Sequence, residues 1–255
     1  MLKGMSVMLM ALAACVMMVG CGEKKDVAVG KTWIVATDTA FRPFEYTNEK
    51  NEFVGIDVDI LAAIAADQGF KYELRSLGWD AGVLAVQANQ ADALIAGATI
   101  KEERIKSGWI FSDGYFNATQ TFVVAENSPI AKFEDLRGKK VAVKNGTAGK
   151  DFAERLKDQY GFTVAVFDDS PTMYQDVVLG NSVACVEDTP IMAANIKATP
   201  GLKLRIPAGM ESEGAPYGFA IMNEANRELL DKFNAGLKNI KANGTYQAIL
   251  DKYLK

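Results

Sequence analysis

Histidine is missing altogether from the 255 residues. That removes the Ser-His-Asp and Cys-His nucleophilic systems and every histidine-ligated metal site. An enzyme built from this chain would need carboxylates, Lys, Tyr or Cys for its acid–base work. Cysteine is nearly as scarce: Cys15, Cys21 and Cys185 are the 3 present. They form no C-x-x-C pair, which excludes a zinc knuckle and a thioredoxin-like motif. There is no basic excess either, since 28 Lys and Arg against 32 Asp and Glu leave a net charge of −4. A nucleic-acid partner, which wants a basic face, is therefore not expected. Two short stretches hint at ligands and fail. Gly146 to Asp151 lacks the G-x-x-x-x-G-K-[ST] spacing of a phosphate loop, and Asp168-Asp169 lacks the remaining ligands of a calcium loop. No metal and no cofactor are expected.

What is present is an ordinary globular composition, 49% hydrophobic and 24% charged, at a length that suits one large domain or two of roughly 100 residues. The first twenty residues differ. Lys3 precedes an almost unbroken apolar run to Gly20, the charged and apolar regions of a secretory signal. The run ends in M-V-G-C at Cys21, which resembles the lipobox of bacterial lipoproteins, where the cysteine is acylated. A competing L-A-A-C ends at Cys15, but apolar residues continue past it. Residues 1–21 are thus expected to be a lipoprotein signal peptide and 22–30 a flexible tether. The chain would be exported and anchored outside the cytoplasm through Cys21, in a periplasm or at a cell surface.

From Thr32 onward the pattern alternates. Thr32–Thr37 is strand-like, Ile56–Ala66 helical with Gly69 just past its end, Phe70–Leu74 a strand, Gly82–Asn89 a short helix and Ala93–Ala96 a buried strand. A second block repeats the rhythm: strands at Lys140–Val143, Phe162–Phe167 and Val183–Val186, with helices after each. Ser170 with Pro171 reads as the start of one of these helices. The alternation predicts two α/β domains with parallel sheets, and Cys185 is read as a buried strand thiol. Glu224–Ala242 is an amphipathic helix with Leu230, Phe233, Leu237 and Ile240 on one face. Extended stretches near 115–120 and 216–222 break the rhythm and suit a double crossover between the domains.

Ligands of such sheets sit at the carboxyl ends of strands. Asp38, Trp79 and Gly97 all fall there. In Ala91–Arg104 the spacing of Thr99 and Glu102 reads as a capping box, which would start a helix carrying Arg104. Free N–H groups at a helix start and a guanidinium fork together suit a carboxylate.

From Trp33 to Tyr253 the chain resembles the periplasmic polar amino-acid-binding proteins of ABC importers. Seven motifs in order carry the resemblance: V-A-T-D-T-A-F-x-P-F-E at Val35–Glu45, V-G-I-D-V-D at Val54–Asp59, A-G-A-T-I-x-x-E-R at Ala96–Arg104, F-S-D-G-Y at Phe111–Tyr115, V-A-V-K-x-G-T at Val141–Thr147, D-T-P at Asp188–Pro190 and N-G-T-Y at Asn243–Tyr246. The family implies a type II periplasmic binding fold, two Rossmann-like lobes joined by two hinge strands. Lobe 1 would comprise 31–114 and 219–255, lobe 2 would comprise 119–214, and the hinges 115–118 and 215–218. It implies a monomeric receptor that is not an enzyme, closes on a free amino acid and presents it to a membrane permease.

The resemblance also assigns a site. Arg104 and the Thr99 N–H take the ligand α-carboxylate. Asp188, the Gly97 carbonyl and the Thr99 hydroxyl take the α-ammonium, and Phe41 and Trp79 sandwich the stem. Ala96, Thr147 and Ala148 complete the lining. Asp38 as acceptor and Lys144 as donor suit a side-chain amide, which favours glutamine. Glu187 stands where glutamine-binding members carry His. It would accept from the amide, pair with Lys144 or suit a guanidinium or ammonium; the plainer reading turns it to solvent or onto a local backbone amide. A receptor for arginine, lysine or histidine is therefore the alternative. A dehydratase using Glu187 as general acid is a further one, because fold does not dictate function.

Overall fold

A computed structural model describes residues 30–255. The expected signal peptide, the candidate acylation sites Cys15 and Cys21 and residues 22–29 of the expected tether lie outside the described residues. In chain order the elements are β1 Thr32–Thr37, β2 Tyr46–Thr47, β3 Phe53–Val54, α1 Ile56–Gln68, β4 Lys71–Ser76, α2 Trp79–Gln87, β5 Ala93–Leu94, α3 Glu102–Lys106, β6 Ile110–Phe111, β7 Phe116–Ala118 and β8 Gln120–Ala125. They continue with β9 Lys140–Lys144, α4 Ala148–Tyr160, β10 Thr163–Phe167, α5 Ser170–Val178, β11 Ala184–Asp188, α6 Thr189–Ala198, β12 Leu204–Arg205, β13 Ala215–Tyr217, β14 Ala220–Ile221, α7 Arg227–Ala242 and α8 Thr245–Leu254.

Two five-stranded sheets form, one per lobe. The first runs β4-β1-β5-β14-β6 and the second β10-β9-β11-β8-β12. In the first, β1 pairs parallel with β4 and β5 while β14 is antiparallel to β5 and β6. In the second, β9 lies parallel between β10 and β11, and β8 runs antiparallel to β11 and β12. Each sheet is a parallel α/β core with one antiparallel strand, β14 or β8, at the side where the chain crosses between lobes. β7 and β13 pair antiparallel and form the two-stranded connection. The central strands read as apolar runs, with Val141, Ala142 and Val143 fully buried, because helices cover both faces of a parallel sheet.

The C-terminal helices α7 and α8 pack on α1, in the first lobe. Leu229, Leu230, Phe233, Leu237 and Ile240 of α7 are buried, each stabilising by about 1.5–3 kcal/mol relative to exposure. Gly236 lets the two helices approach: a Cβ there would come 2.7 Å from Ile64 Cγ2. Helix α1 ends as the sequence predicts, Gly69 adopting the left-handed conformation at φ 66° that a C-terminal glycine supplies without strain. Cys185 is a free buried thiol.

Three predicted helix starts are displaced, the first two for tertiary reasons. Thr99 does not cap a helix. The segment around it is extended, with Thr99 bridged to Tyr217, Ile100 N donating to Pro216 O and Gly218 N to Ala98 O. Helix α3 begins only at Glu102, after Lys101. Pairing with the returning strand outcompetes a capping box, whose worth is about 1 kcal/mol. At α5 the cap is Asp169, whose side chain accepts from Thr172 N, and Ser170 is freed for another partner. Helix α2 starts three residues before the predicted Gly82, at Trp79.

Candidate functional site

Both sheets aim the carboxyl ends of their parallel strands at the cleft. Asp38 follows β1, Trp79 opens the helix after β4, and Ala96, Gly97 and Thr99 follow β5. From the second lobe, Lys144 ends β9, Thr147 and Ala148 start α4, and Glu187 and Asp188 end β11. Together with Phe41 and Arg104, these twelve residues line one small interlobe cavity. They are the same twelve that the resemblance assigned. The cavity measures about 20 Å³, room for about one water, so a larger ligand enters only when the lobes part.

At one end Arg104 is buried. Its Nη1 donates to Thr99 O at 2.8 Å and its Nη2 to Gly146 O of the second lobe at 3.1 Å. The guanidinium lies 4.8 Å from the Trp79 ring centroid and 5.0 Å from that of Trp109. Burial pulls it down to about 10, against the pull of Asp151 and Asp188, so it stays charged at neutral pH. Among the described residues no carboxylate forms an ion pair with it. A buried cation flanked by two indole faces and lacking a carboxylate suits an incoming anion.

Facing it, Asp188 accepts from the Tyr217 hydroxyl. Burial and then the neighbouring Glu187 charge push Asp188 up to about 7, while the Tyr217 hydroxyl, Gln120 and Arg104 oppose the rise. An ammonium beside it would favour the charged form. Gly97, at φ 55°, is held through its N–H to Asp57 Oδ2 at 2.9 Å, and a Cβ there would meet Phe41 Cε1 at 2.5 Å. Only glycine lets the loop run under the aromatic wall.

The far end is paired within itself. Lys144 Nζ donates to Asp38 Oδ2 at 2.5 Å, across the cleft and with both groups buried. Burial works against the Lys144 charge, but Asp38, Glu187 and Glu45 outweigh it and hold the ammonium above its ordinary value. Thr39 N donates to the other Asp38 oxygen at 2.7 Å. Glu187 makes no ion pair with Lys144. Its Oε2 accepts from Ser170 Oγ at 2.7 Å and Tyr174 OH at 2.6 Å, and its Oε1 from Asp188 N at 2.9 Å. The carboxylate is thus turned partly onto a backbone amide, while still lining the cavity.

Sequence reasoning missed the residues that hold the site. Tyr217 and Gln120 act on Asp188, Ser170 and Tyr174 on Glu187, and Asp57 on Gly97. Ser170 was visible only as a cap. Asp57 and Glu45 sit inside recognised motifs but carried no assigned role.

The fold and site define a two-lobed receptor with a buried, charge-lined cleft. The family model of the bacterial extracellular solute-binding proteins, family 3, matches residues 33–255, and the chain belongs to that family. The arginine-binding periplasmic protein of Mannheimia haemolytica is 32% identical over 229 residues, 87% of this chain and 90% of that protein. Among solved structures, the arginine-, lysine-, histidine-binding protein ArtJ of Geobacillus stearothermophilus is 33% identical with a TM-score of 0.80, covering 88% of this chain and 95% of that one. An ancestral arginine-binding protein solved with arginine is 36% identical with a TM-score of 0.80, covering 88% of this chain and 98% of that one. An ancestral arginine-binding protein solved with glutamine has the same identity and TM-score, over 88% of this chain and 97% of that one.

Proposed function

We propose that the chain is the amino-acid receptor of an ABC importer and that its solute is a free amino acid with a cationic side chain, of the arginine class. The charges around the cavity carry this reading. Three carboxylates (Asp38, Glu187, Asp188) face two cations (Arg104, Lys144). A zwitterionic backbone adds no net charge, so one negative charge is left over. A cationic side chain neutralises it, whereas an amide leaves it buried at a cost of several kcal/mol. Lys144 is already engaged by Asp38. Glu187 is held rigid by three donors, with a remaining lone pair on Oε1 for a guanidinium or ammonium. The arginine-binding relatives support the same class.

Glutamine is the second reading, favoured by the acceptor Asp38 and donor Lys144 standing side by side, which match an amide. In either case β7 and β13 serve as the hinge between 31–114 with 219–255 and 119–214. Cys21 would carry the lipid anchor, and the closed lobes would present the solute to a permease. A thermal-shift screen of the mature protein against the twenty amino acids tests the reading. A ligand at a hundredfold excess over its Kd adds about 2.7 kcal/mol. Arginine is expected to give the largest shift, ahead of lysine, histidine and glutamine. A larger shift with glutamine overturns the cationic assignment in favour of the amide.

A further inference from the structure

Beneath the cleft floor lies a cluster that the site does not use directly. Glu45 and Asp57 are both fully buried. Their backbones are adjacent, Asp57 N donating to Phe44 O at 2.9 Å. Asp57 Oδ2 accepts from two donors, Gly97 N at 2.9 Å and Tyr115 OH at 2.8 Å. Among the described residues no donor reaches Glu45 Oε1, Glu45 Oε2 or Asp57 Oδ1. The two carboxyls lie within hydrogen-bond reach of each other, and two carboxylates cannot bond without a proton between them. A pair of buried anions with three orphaned oxygens would be strongly disfavoured.

We propose that Glu45 and Asp57 share one proton, Glu45 being the neutral acid that donates to the Asp57 carboxylate, and that this pair positions Gly97 for the ligand. Asp57 keeps its charge for two jobs. It fixes the N–H of Gly97, a residue that lines the cleft. It also anchors Tyr115, the residue before β7, so that one carboxylate ties the clamp loop to the interlobe connection. The titratable groups around Glu45 are Asp57, Asp38 and Lys144, and those around Asp57 are Glu45 and the Tyr115 hydroxyl. Burial above all, then the Asp57 and Asp38 charges, hold Glu45 well above the usual carboxylate range, with Lys144 pulling the other way. Burial also pushes Asp57 up to about 7, against the donors Gly97, Tyr115 and Glu45.

The consequence for affinity rests on the amino-acid reading, but the proton does not. Wild-type protein labelled with ¹³C at glutamate side-chain carboxyls tests it without any ligand. One glutamate is expected to give a neutral-acid signal at pH 7, which disappears in Glu45→Gln. A spectrum with only ionised glutamates overturns the proposal. Folding adds a second readout. The native Glu45 keeps a proton that the unfolded chain releases above its ordinary value, so its contribution to stability falls about tenfold in the folding constant per pH unit from about pH 5 to 7. Glu45→Gln, a neutral isostere, should lose one proton's worth of that slope, the raised Asp57 and Asp188 keeping theirs, and bind arginine within about threefold of wild type. Glu45→Ala, which orphans Asp57 Oδ1, should bind arginine at least tenfold more weakly. Wild-type-like affinity in Glu45→Ala overturns the positioning role. If no amino acid binds the wild type while the neutral glutamate is present, the functional reading fails and the shared proton stands.

Discussion

The two ends of the cleft solve opposite problems. The Arg104–Asp188 end presents its charges to the cavity with no ion pair among the described residues: Arg104 bonds two carbonyls and lies between two indole faces, and Asp188 accepts from a hydroxyl. The far end is satisfied before any ligand arrives, with Lys144 on Asp38 and Glu187 on Ser170, Tyr174 and a backbone amide. An end with unpaired charge binds whatever zwitterion comes. An end with its charges already engaged admits only a side chain that replaces or completes those contacts, and so it selects. On the proposed reading, affinity resides mainly at the first end and preference at the second.

The sharpest way to break this contrast is Arg104→Ala. Loss of a buried charge-assisted fork costs about 2–5 kcal/mol, so every amino acid should bind at least about thirtyfold more weakly by calorimetry. Undiminished binding of any of them would remove the clamp. Lys144→Leu should instead split the ligands. It leaves Asp38 buried without its cation, a penalty of about 3–5 kcal/mol that an arginine or lysine side chain can relieve and glutamine cannot. Competition calorimetry should show glutamine losing far more than arginine. Equal losses would mean that Lys144 does not discriminate.

Glu187→Gln is expected to act more mildly. A hydrogen bond to a charged group contributes about 1.5–3 kcal/mol, so arginine should weaken about tenfold or more while glutamine changes little. The smallest effect is that of pH on the common end. Asp188 lies at about 7, and its protonated form cannot pair with an ammonium. As pH falls below 7, each unit should weaken arginine, lysine and glutamine alike by up to about tenfold, with no change in the ranking of these three, whose side chains do not titrate there. A ranking that changes with pH would place the titrating group at the far end instead.

Much of the architecture was legible locally. β1 matches its predicted span, Gly69 ends α1, and the apolar stripe of α7 is the buried one, because period and punctuation are properties of neighbouring residues. The gathering of the twelve site residues was legible only through seven short motifs in order, since spacing alone gave Arg104 no particular partner. The errors share a cause. Thr99 and Ser170 look like helix caps to their neighbours in sequence, yet Thr99 pairs with Tyr217 and Ser170 with Glu187. A local signal worth about 1 kcal/mol yields to a distant partner that satisfies a buried group.

The amino-acid sequence by itself determined which chemistry was possible: no histidine and hence no histidine-ligated metal, two α/β blocks, a lysine and several carboxylates at strand ends, and an arginine on the short helix that follows β5. The tertiary structure decided how those charges divide. It set Lys144 against Asp38 across the cleft, turned Glu187 onto Ser170 and Tyr174, left Arg104 between two indoles, and buried Glu45 against Asp57. Charge pairing depends on distance and burial in three dimensions, and neither is written in the order of residues along the chain.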